Sequence, residues 1–228
     1  MQACEGCDGR KIAVYYRDDD VLVVEKPFGR AVHPSPGHET NTLTGELVRR
    51  FPQMAGVGSK ERPGVVHRLD VETSGVMAFA LSERAYRRMR ELFESHTGVE
   101  KTYLAVLHGA PKGRCGTVDA FLARRADKKR MKVVGPGEGG VRAISHWEVL
   151  GRRGGVSLVE FRIETGRTHQ IRVHAAHLGH PIAGDRLYGV PDRAPRLLLH
   201  AVRLAFPHPV SGRRLCFTSE PPPEIVYG

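Results

Sequence analysis

The chain has 228 residues and a formal net charge of +10 at pH 7, with 35 Lys and Arg residues against 25 Asp and Glu residues. This length suits one domain with a proper hydrophobic core, and the positive charge favours a polyanionic partner, because cationic contacts to phosphates supply most sequence-independent affinity for nucleic acids. The first ten residues are polar and no apolar run approaches the roughly 20 residues that cross a bilayer, so we expect a cytoplasmic protein with no membrane partner.

The four cysteines do not form a disulfide framework in a chain of this size, which agrees with a reducing compartment. Cys4 and Cys7 have the spacing of half a zinc site, but no second pair follows them. We therefore predict no metal, and a flexible N-terminal segment over residues 1–10.

The sequence of the N-terminal part predicts two strands, a loop and a helix. Lys11–Tyr16 and Val21–Glu25 are short apolar runs split by a polar turn. Lys26–His38 contains three prolines and two glycines and is predicted to be irregular. Apolar residues at helical spacing over Leu43–Phe51 then predict a short amphipathic helix that ends before Pro52.

A strand, a loop and a second strand are predicted next. Val65 and Val66 lead into a polar run, and Val76–Leu81 forms the second apolar run. Arg68 and Asp70 lie in the loop between the two predicted strands, and binding and catalytic groups tend to occur in such loops. Two readings of Asp70 stay open at this point: a carboxylate that caps the turn by bonding to the backbone, or a catalytic carboxylate.

The clearest helix follows Ser82, a suitable N-cap residue, and Gly98 is predicted to end it. Its arginines at positions 84, 87, 88 and 90 either contact RNA or form a solvated face, and we favour the solvated face. Lys101–His108 is predicted to be a strand that carries Tyr103, whose ring packs in the core or serves an active site.

The densest run of positive charge is predicted to be the tip of a hairpin or an extended loop. Its cations are Arg124, Arg125, Lys128, Lys129, Arg130 and Lys132. They cannot be buried, because unpaired charges in a core are too costly. The run is therefore solvated or contacts phosphates, and the basic composition favours contact with phosphates.

The C-terminal half is rich in strands. Ile144–Leu150 and Val156–Thr165 adjoin through a short turn, and Leu197–Phe206 and Arg213–Phe217 follow. An α+β fold with an antiparallel or mixed sheet is expected. A metallohydrolase is a competing class, because histidines lie at positions 169, 174, 177 and 180, but no helical His-Glu-x-x-His pattern is present. His174–Leu178 is predicted to be one short helix followed by Gly179.

Four ordered segments, spanning about Asp20 to Phe217, resemble the RluA-type RNA pseudouridine synthases. The signature is His67-Arg68-Leu69-Asp70-x-x-Thr73-Ser74-Gly75. The other segments are Lys26-Pro27-Phe28-Gly29-Arg30-Ala31-Val32-His33-Pro34, Lys101-Thr102-Tyr103, and Gly166-Arg167-Thr168-His169-Gln170-Ile171-Arg172-Val173-His174 running on to Gly184-Asp185-Arg186-Leu187-Tyr188-Gly189.

The resemblance implies an α+β fold with a single catalytic domain over residues 1–228. It further implies a central, mixed and mostly antiparallel sheet with flanking helices and loops, and an active-site cleft across the sheet. The implied reaction is the isomerisation of a specific uridine in ribosomal or transfer RNA to pseudouridine, with no cofactor. We expect a monomer that has no obligate protein partner.

The resemblance also implies the roles of four residues. Asp70 would act as nucleophile or initial base. Arg172 would pair with it in a fork-like contact and keep it ionised, because burial alone raises the pKa of a carboxyl group. Tyr103 would stack on the target base, and Arg68 would fill or hold the space left by the flipped uridine.

A non-catalytic RNA-binding protein on the same fold is the second class to consider, since a fold does not guarantee an activity. Asp70, Tyr103 and Arg172 all occupy the motif positions, which favours the enzyme. Many relatives carry a small N-terminal RNA-binding domain, and we expect this chain to be a compact form without it. The basic surface would then recognise the RNA.

Overall fold

The computed structural model describes residues 12–127 and 129–226. The predicted N-terminal segment with Cys4 and Cys7, and Lys128 of the basic run, lie outside these residues. The chain forms two compact units. Unit 1 contains the chain up to Val99 together with Ala205–Phe217, and unit 2 contains Glu100–Leu204 together with the chain from Thr218. A single catalytic domain over residues 1–228 stays a prediction.

Unit 1 is built on antiparallel strands in the order β1-β2-β5, of which β2 and β5 are buried. Its elements are β1 (Val14–Arg17), β2 (Val21–Lys26), α1 (Leu43–Arg50), a 3-10 helix (Pro52–Gly56), the short pair β3 (Gly58–Ser59) and β4 (Arg62–Pro63), β5 (Ser74–Ala80) and α2 (Glu83–Ser95). The two predicted N-terminal strands and the helix before Pro52 are confirmed. Every residue of β5 is buried, which explains its continuous apolar sequence.

Helix α2 packs its apolar face against the rest of unit 1 and exposes its opposite, charged face. The Ser82 side chain accepts a hydrogen bond from the Ala85 amide at 3.2 Å, which confirms the predicted N-cap. The predicted end at Gly98 is wrong, because the helix ends at Ser95 and His96 takes the left-handed conformation (φ 59°). All four arginines of the exposed face form ion pairs, in the pairs Arg84–Asp20, Arg87–Glu83, Arg88–Glu91 and Arg90–Glu94.

Unit 2 contains an antiparallel sheet in the order β6-β10-β9-β7-β8, so β8 is its edge strand. Its elements are β6 (Glu100–His108), β7 (Cys115–Arg124), β8 (Met131–Val134), β9 (Val141–Arg153), β10 (Val156–Ile163), α3 (Gln170–His177) and α4 (Pro223–Val226). Strand β11 (Leu199–Pro207) runs from unit 2 into unit 1, and most of β12 (Arg214–Thr218) belongs to unit 1. The expected α+β class with mostly antiparallel pairing is confirmed.

Two further elements differ from the expectation. Val65 makes only an isolated bridge to Phe79, so the strand predicted at Val65 and Val66 is wrong and only the two-residue β4 precedes the Asp70 loop. Pro63 lacks an amide proton and Gly64 is left-handed (φ 66°), which ends β4 before Val65. Helix α3 begins at Gln170 rather than at His174, after a left-handed His169. Among the described residues, no helix is both long enough and apolar enough to span a membrane.

Two buried histidines of unit 2 make the stability of the fold depend on pH. His174 shares a hydrogen bond of 2.9 Å with Ser145, and His200 shares one of 2.8 Å with Ser219. Burial lowers the pKa of both imidazoles to about 4. An unfolded histidine titrates near pH 6.5, so between about pH 6.5 and pH 4 the unfolded chain binds protons that the folded chain does not.

We therefore predict that the free energy of unfolding is highest above about pH 6.5 and decreases as the pH falls towards 4. The decrease is up to about 1.4 kcal/mol per pH unit for each histidine. Denaturant unfolding at pH 7.5 and pH 5 measures this loss. The pH dependence should be shallower in a His200→Gln variant. Equal unfolding free energies of the wild-type protein at the two pH values would contradict the prediction.

Candidate active site

Asp70 lies on the loop between β4 and β5 of unit 1. Its side chain is half-buried, and that of Arg68 is exposed. The amide of Thr73 donates to the backbone carbonyl of Asp70 at 3.1 Å. A backbone hydrogen bond therefore closes this turn.

The buried ammonium of Lys26 fixes the path of this loop. Lys26 is the last residue of β2 and is fully buried. Its Nζ donates to the carbonyls of Pro27 (2.9 Å), Val71 (3.0 Å) and Thr73 (2.7 Å). The amide of Gly29 also donates to the Val71 carbonyl, at 2.9 Å. An ammonium has three protons, and each has a carbonyl partner here, which makes its burial tolerable.

His67 fixes the chain on the other side of Asp70. Its Nε2 accepts a hydrogen bond of 3.0 Å from the Ala78 amide on β5. Its ring stacks on Phe93 of α2, with the ring centroids 4.6 Å apart and the planes 12° apart. The backbone that carries Asp70 is thus attached to β2 after the carboxylate and to β5 and α2 before it.

Two exposed arginines make the surroundings of this loop electropositive. Arg62 and Arg68 have no ion-pair partner among residues 12–127 and 129–226, unlike the arginines of α2. The pKa of buried His33 is lowered, first by its burial and then by the charges of Arg62 and Arg68. An unpaired guanidinium on a surface is available to a phosphate.

Tyr103 is buried on β6 of unit 2, where the strand register places it opposite Phe161 of β10. Its stacking on a target base stays a prediction. Two residues earlier, Lys101 is also buried, and burial together with the nearby charge of Arg167 lowers its pKa to about 8.

Arg172 of α3 is bound by a carboxylate that the sequence analysis did not single out. Its Nε and Nη2 donate to the two oxygens of Asp185 at 2.8 Å and 2.7 Å, and both side chains are almost completely buried. Oδ1 of Asp185 also accepts the amides of Leu187 and Tyr188, at 2.9 Å and 3.1 Å. The fork-like edge of Arg172 is therefore engaged by Asp185, and its pairing with Asp70 stays a prediction.

The basic run forms a hairpin tip between β7 and β8, as predicted. We call residues 124–132 the basic hairpin. The amide of Arg125 donates to the carbonyl of Arg130 at 2.7 Å. Asp127 accepts the amides of Lys129 and Arg130, both at 2.9 Å, and the Nε of Arg130 at 2.7 Å. These bonds lower the pKa of Asp127 to about 2.

Most cations of the basic hairpin point into solvent. Arg124, Arg125, Lys129 and Lys132 are exposed, and Arg130 is partly exposed. Arg125, Lys129 and Lys132 have no ion-pair partner within the described part of the chain. The tip therefore has a fixed backbone and an uncompensated positive charge, which suits contact with phosphates.

Three of the four histidines that raised the alternative of a metallohydrolase make hydrogen bonds within unit 2, and one of these, His174, binds Ser145 as described above. His169 binds the hydroxyl of Tyr188, and His180 binds the carbonyl of His108. Among the described residues, no group of three or more His, Cys, Asp or Glu side chains is placed to hold a metal ion.

The sequence profile described as RNA pseudouridylate synthase matches residues 20–177, which include Lys26, Asp70, Tyr103 and Arg172. The chain belongs to this family. An uncharacterized RNA pseudouridine synthase of Synechocystis is 41% identical over 204 residues, which cover 87% of this chain and 62% of that protein. A protein named ribosomal large subunit pseudouridine synthase D, from Zymomonas mobilis, is 37% identical over 226 residues, 94% of this chain and 70% of that protein.

Two solved structures named for a pseudouridylate synthase domain share the fold. Human RNA pseudouridylate synthase domain containing 1 matches with a TM-score of 0.75 and 30% identity, over 92% of this chain and 83% of that one. Human RNA pseudouridylate synthase domain containing 4 matches with a TM-score of 0.74 and 26% identity, over 94% and 90%. The resemblance to RluA-type synthases is therefore confirmed. This chain spans about two thirds of the length of the two curated relatives named above.

We predict that Lys26→Met lowers the free energy of unfolding by about 3 kcal/mol or more, because the carbonyls of Pro27 and Thr73 lose the ammonium as a donor and the Val71 carbonyl keeps only the Gly29 amide. Lys60→Met is the control, since Lys60 is exposed. Denaturant unfolding measures both variants. Equal stabilities of the two variants would contradict the role of Lys26.

Proposed function

We propose that the chain isomerises a uridine in RNA to pseudouridine, with Asp70 as the catalytic carboxylate. The family match over residues 20–177 carries this proposal, because Asp70 occupies the signature position within it. In the reaction the bond from C1′ to N1 breaks, the base rotates, and a bond from C1′ to C5 forms. C5 loses a proton and N1 gains one, so no oxidant or cofactor is consumed.

The fixed loop supports this role for Asp70. A carboxylate that attacks a sugar carbon or removes a proton must be held close to the reacting atom, and small displacements are costly. The bonds of Lys26 and His67 hold the backbone on both sides of Asp70.

Arg172 is proposed to keep Asp70 ionised in the reacting complex. In the structure, Nε and Nη2 of Arg172 both donate to Asp185. The Asp185 carboxylate would then orient the arginine, as a second carboxylate does for many catalytic cations. Tyr103 would stack on the target uracil, and Arg68 would occupy the space that the flipped nucleotide leaves.

Ribosomal RNA is the proposed substrate, because a relative with 37% identity is named as a ribosomal large subunit enzyme. The basic hairpin and the pair Arg62 and Arg68 are proposed to bind its phosphates. We further propose that the protein acts in the cytoplasm as a monomer without an obligate protein partner. Transfer RNA is the other substrate class that the experiment below distinguishes.

Asp70→Asn should abolish pseudouridine formation, reducing it by a factor on the order of 10³ or more, because the amide is neither a nucleophile nor a base. The measurement is a pseudouridine map of ribosomal and transfer RNA from cells that lack the gene, complemented with wild-type, Asp70→Asn or Asp19→Asn protein. Asp19 is exposed, so its variant should restore the same uridine as the wild type.

A uridine that is modified only with wild type and Asp19→Asn would support the proposal and identify the substrate. Full modification by Asp70→Asn would overturn the role of Asp70. If no uridine depended on the gene, the protein would bind RNA without catalysis.

Neutralising two cations of the basic hairpin, Lys129→Gln with Lys132→Gln, should weaken RNA binding equally for different RNA sequences. The slope of log K against log salt should become shallower by about 1.4 to 1.8, since each phosphate contact contributes about 0.7 to 0.9. Salt titration of binding measures this slope.

The matched control is Arg87→Gln with Arg88→Gln, which removes two charges that are already ion-paired within α2. The control should leave the slope nearly unchanged. An equal effect of the two pairs would indicate that only net charge matters, and the basic hairpin would not be an RNA contact.

A further inference from the structure

Tyr188 of unit 2 touches both the basic hairpin and the Arg172–Asp185 pair. Its hydroxyl accepts the amide of Met131 at 2.8 Å and lies 2.8 Å from Nδ1 of His169. Met131 is the first residue of β8 and therefore forms the base of the basic hairpin. Because β8 is an edge strand, an amide at its outer side has no neighbouring strand to bind, and at Met131 the Tyr188 hydroxyl takes that place.

The rest of Tyr188 belongs to the surroundings of Arg172. Its amide donates to Oδ1 of Asp185 at 3.1 Å, the same oxygen that Nη2 of Arg172 binds. The guanidinium of Arg172 lies 5.4 Å from the centre of its ring. That distance is within the range of a cation–π interaction.

The ring also holds β8 by packing. Tyr188, Met131 and Val133 pack on a small buried cluster that includes Leu122 of β7 and Val173 of α3. The base of the basic hairpin and the helix that carries Arg172 thus share one aromatic residue.

The hydroxyl can satisfy both of its partners when His169 is neutral. It accepts the Met131 proton through a lone pair and donates its own proton to Nδ1 of His169, which leaves the proton of His169 on Nε2. A phenylalanine in this place would keep the ring and its contact with Arg172 but would release the Met131 amide.

We propose that Tyr188 is a positioning residue that holds the basic hairpin in a fixed place relative to the Arg172–Asp185 pair. RNA bound by the hairpin is thereby presented to the arginine without a further ordering step. This role rests on the proposed function. It does not make Tyr188 a catalytic residue, because its hydroxyl is engaged by Met131 and His169.

The first test is steady-state kinetics of Tyr188→Phe on an RNA fragment that contains the mapped uridine. We expect KM to rise about fivefold, the equivalent of one hydrogen bond, and kcat to change less than about twofold. The cost falls on KM because a hairpin with a looser base must be ordered when RNA binds. Tyr86→Phe is the matched control and should leave both constants unchanged, since the Tyr86 hydroxyl has no hydrogen-bond partner among the described residues.

The second test separates positioning of the hairpin from a general loss of structure. In a protein that already carries Lys129→Gln and Lys132→Gln, the hairpin contributes less to RNA binding. Adding Tyr188→Phe to this protein should therefore raise KM by less than about twofold. The same fivefold rise in both backgrounds, an unchanged KM in the single variant, or a loss confined to kcat would each overturn the proposal.

The proposal can fail independently of the proposed function. If the wild-type protein forms no pseudouridine, the proposed function fails, and the same set of variants is then compared by dissociation constants for the RNA. Non-additive effects of Tyr188→Phe and the hairpin substitutions on binding would support the role of Tyr188, and additive effects would overturn it.

Discussion

The loop that carries Asp70 depends on one buried positive charge. Lys26 is fully enclosed at the end of β2, and its three protons are shared among three backbone carbonyls, two of them on the Asp70 loop. An ammonium without such partners could not remain buried. The cation and the loop therefore require each other, which links the first strands of unit 1 to the placement of its proposed catalytic group.

The positive charge of the chain is distributed unevenly among the described residues. On α2, every arginine is balanced by a neighbouring carboxylate. In unit 1, Arg62 and Arg68 beside the Asp70 loop are unbalanced, and in unit 2 several cations of the basic hairpin are. The net charge of the chain does not distinguish these surfaces. The ion pairs do, because a polyanion can bind an unpaired cation directly, whereas it must displace a carboxylate from a paired one.

Elements governed by local sequence were predictable, and charge pairs between distant positions were not. Ser82 and the apolar face of α2 define that helix, and the hairpin followed from a charged run between two apolar ones. Two of the partners of Lys26, Val71 and Thr73, lie 45 and 47 residues away from it, and Asp185 lies 13 residues after Arg172 on a turn that follows α3. No periodic pattern connects these residues. The end of α2 was misplaced because His96, rather than a glycine, takes the left-handed conformation.

The shape of the basic hairpin depends on few side chains, and this has an evolutionary consequence. Asp127 and Tyr188 hold its turn and its base through backbone amides of residues 129, 130 and 131. Backbone amides are present whatever side chain follows them, with proline as the exception. The residues displayed at the tip can therefore diverge between lineages while the turn is inherited unchanged, so that the same scaffold could acquire a different binding partner by surface substitutions alone.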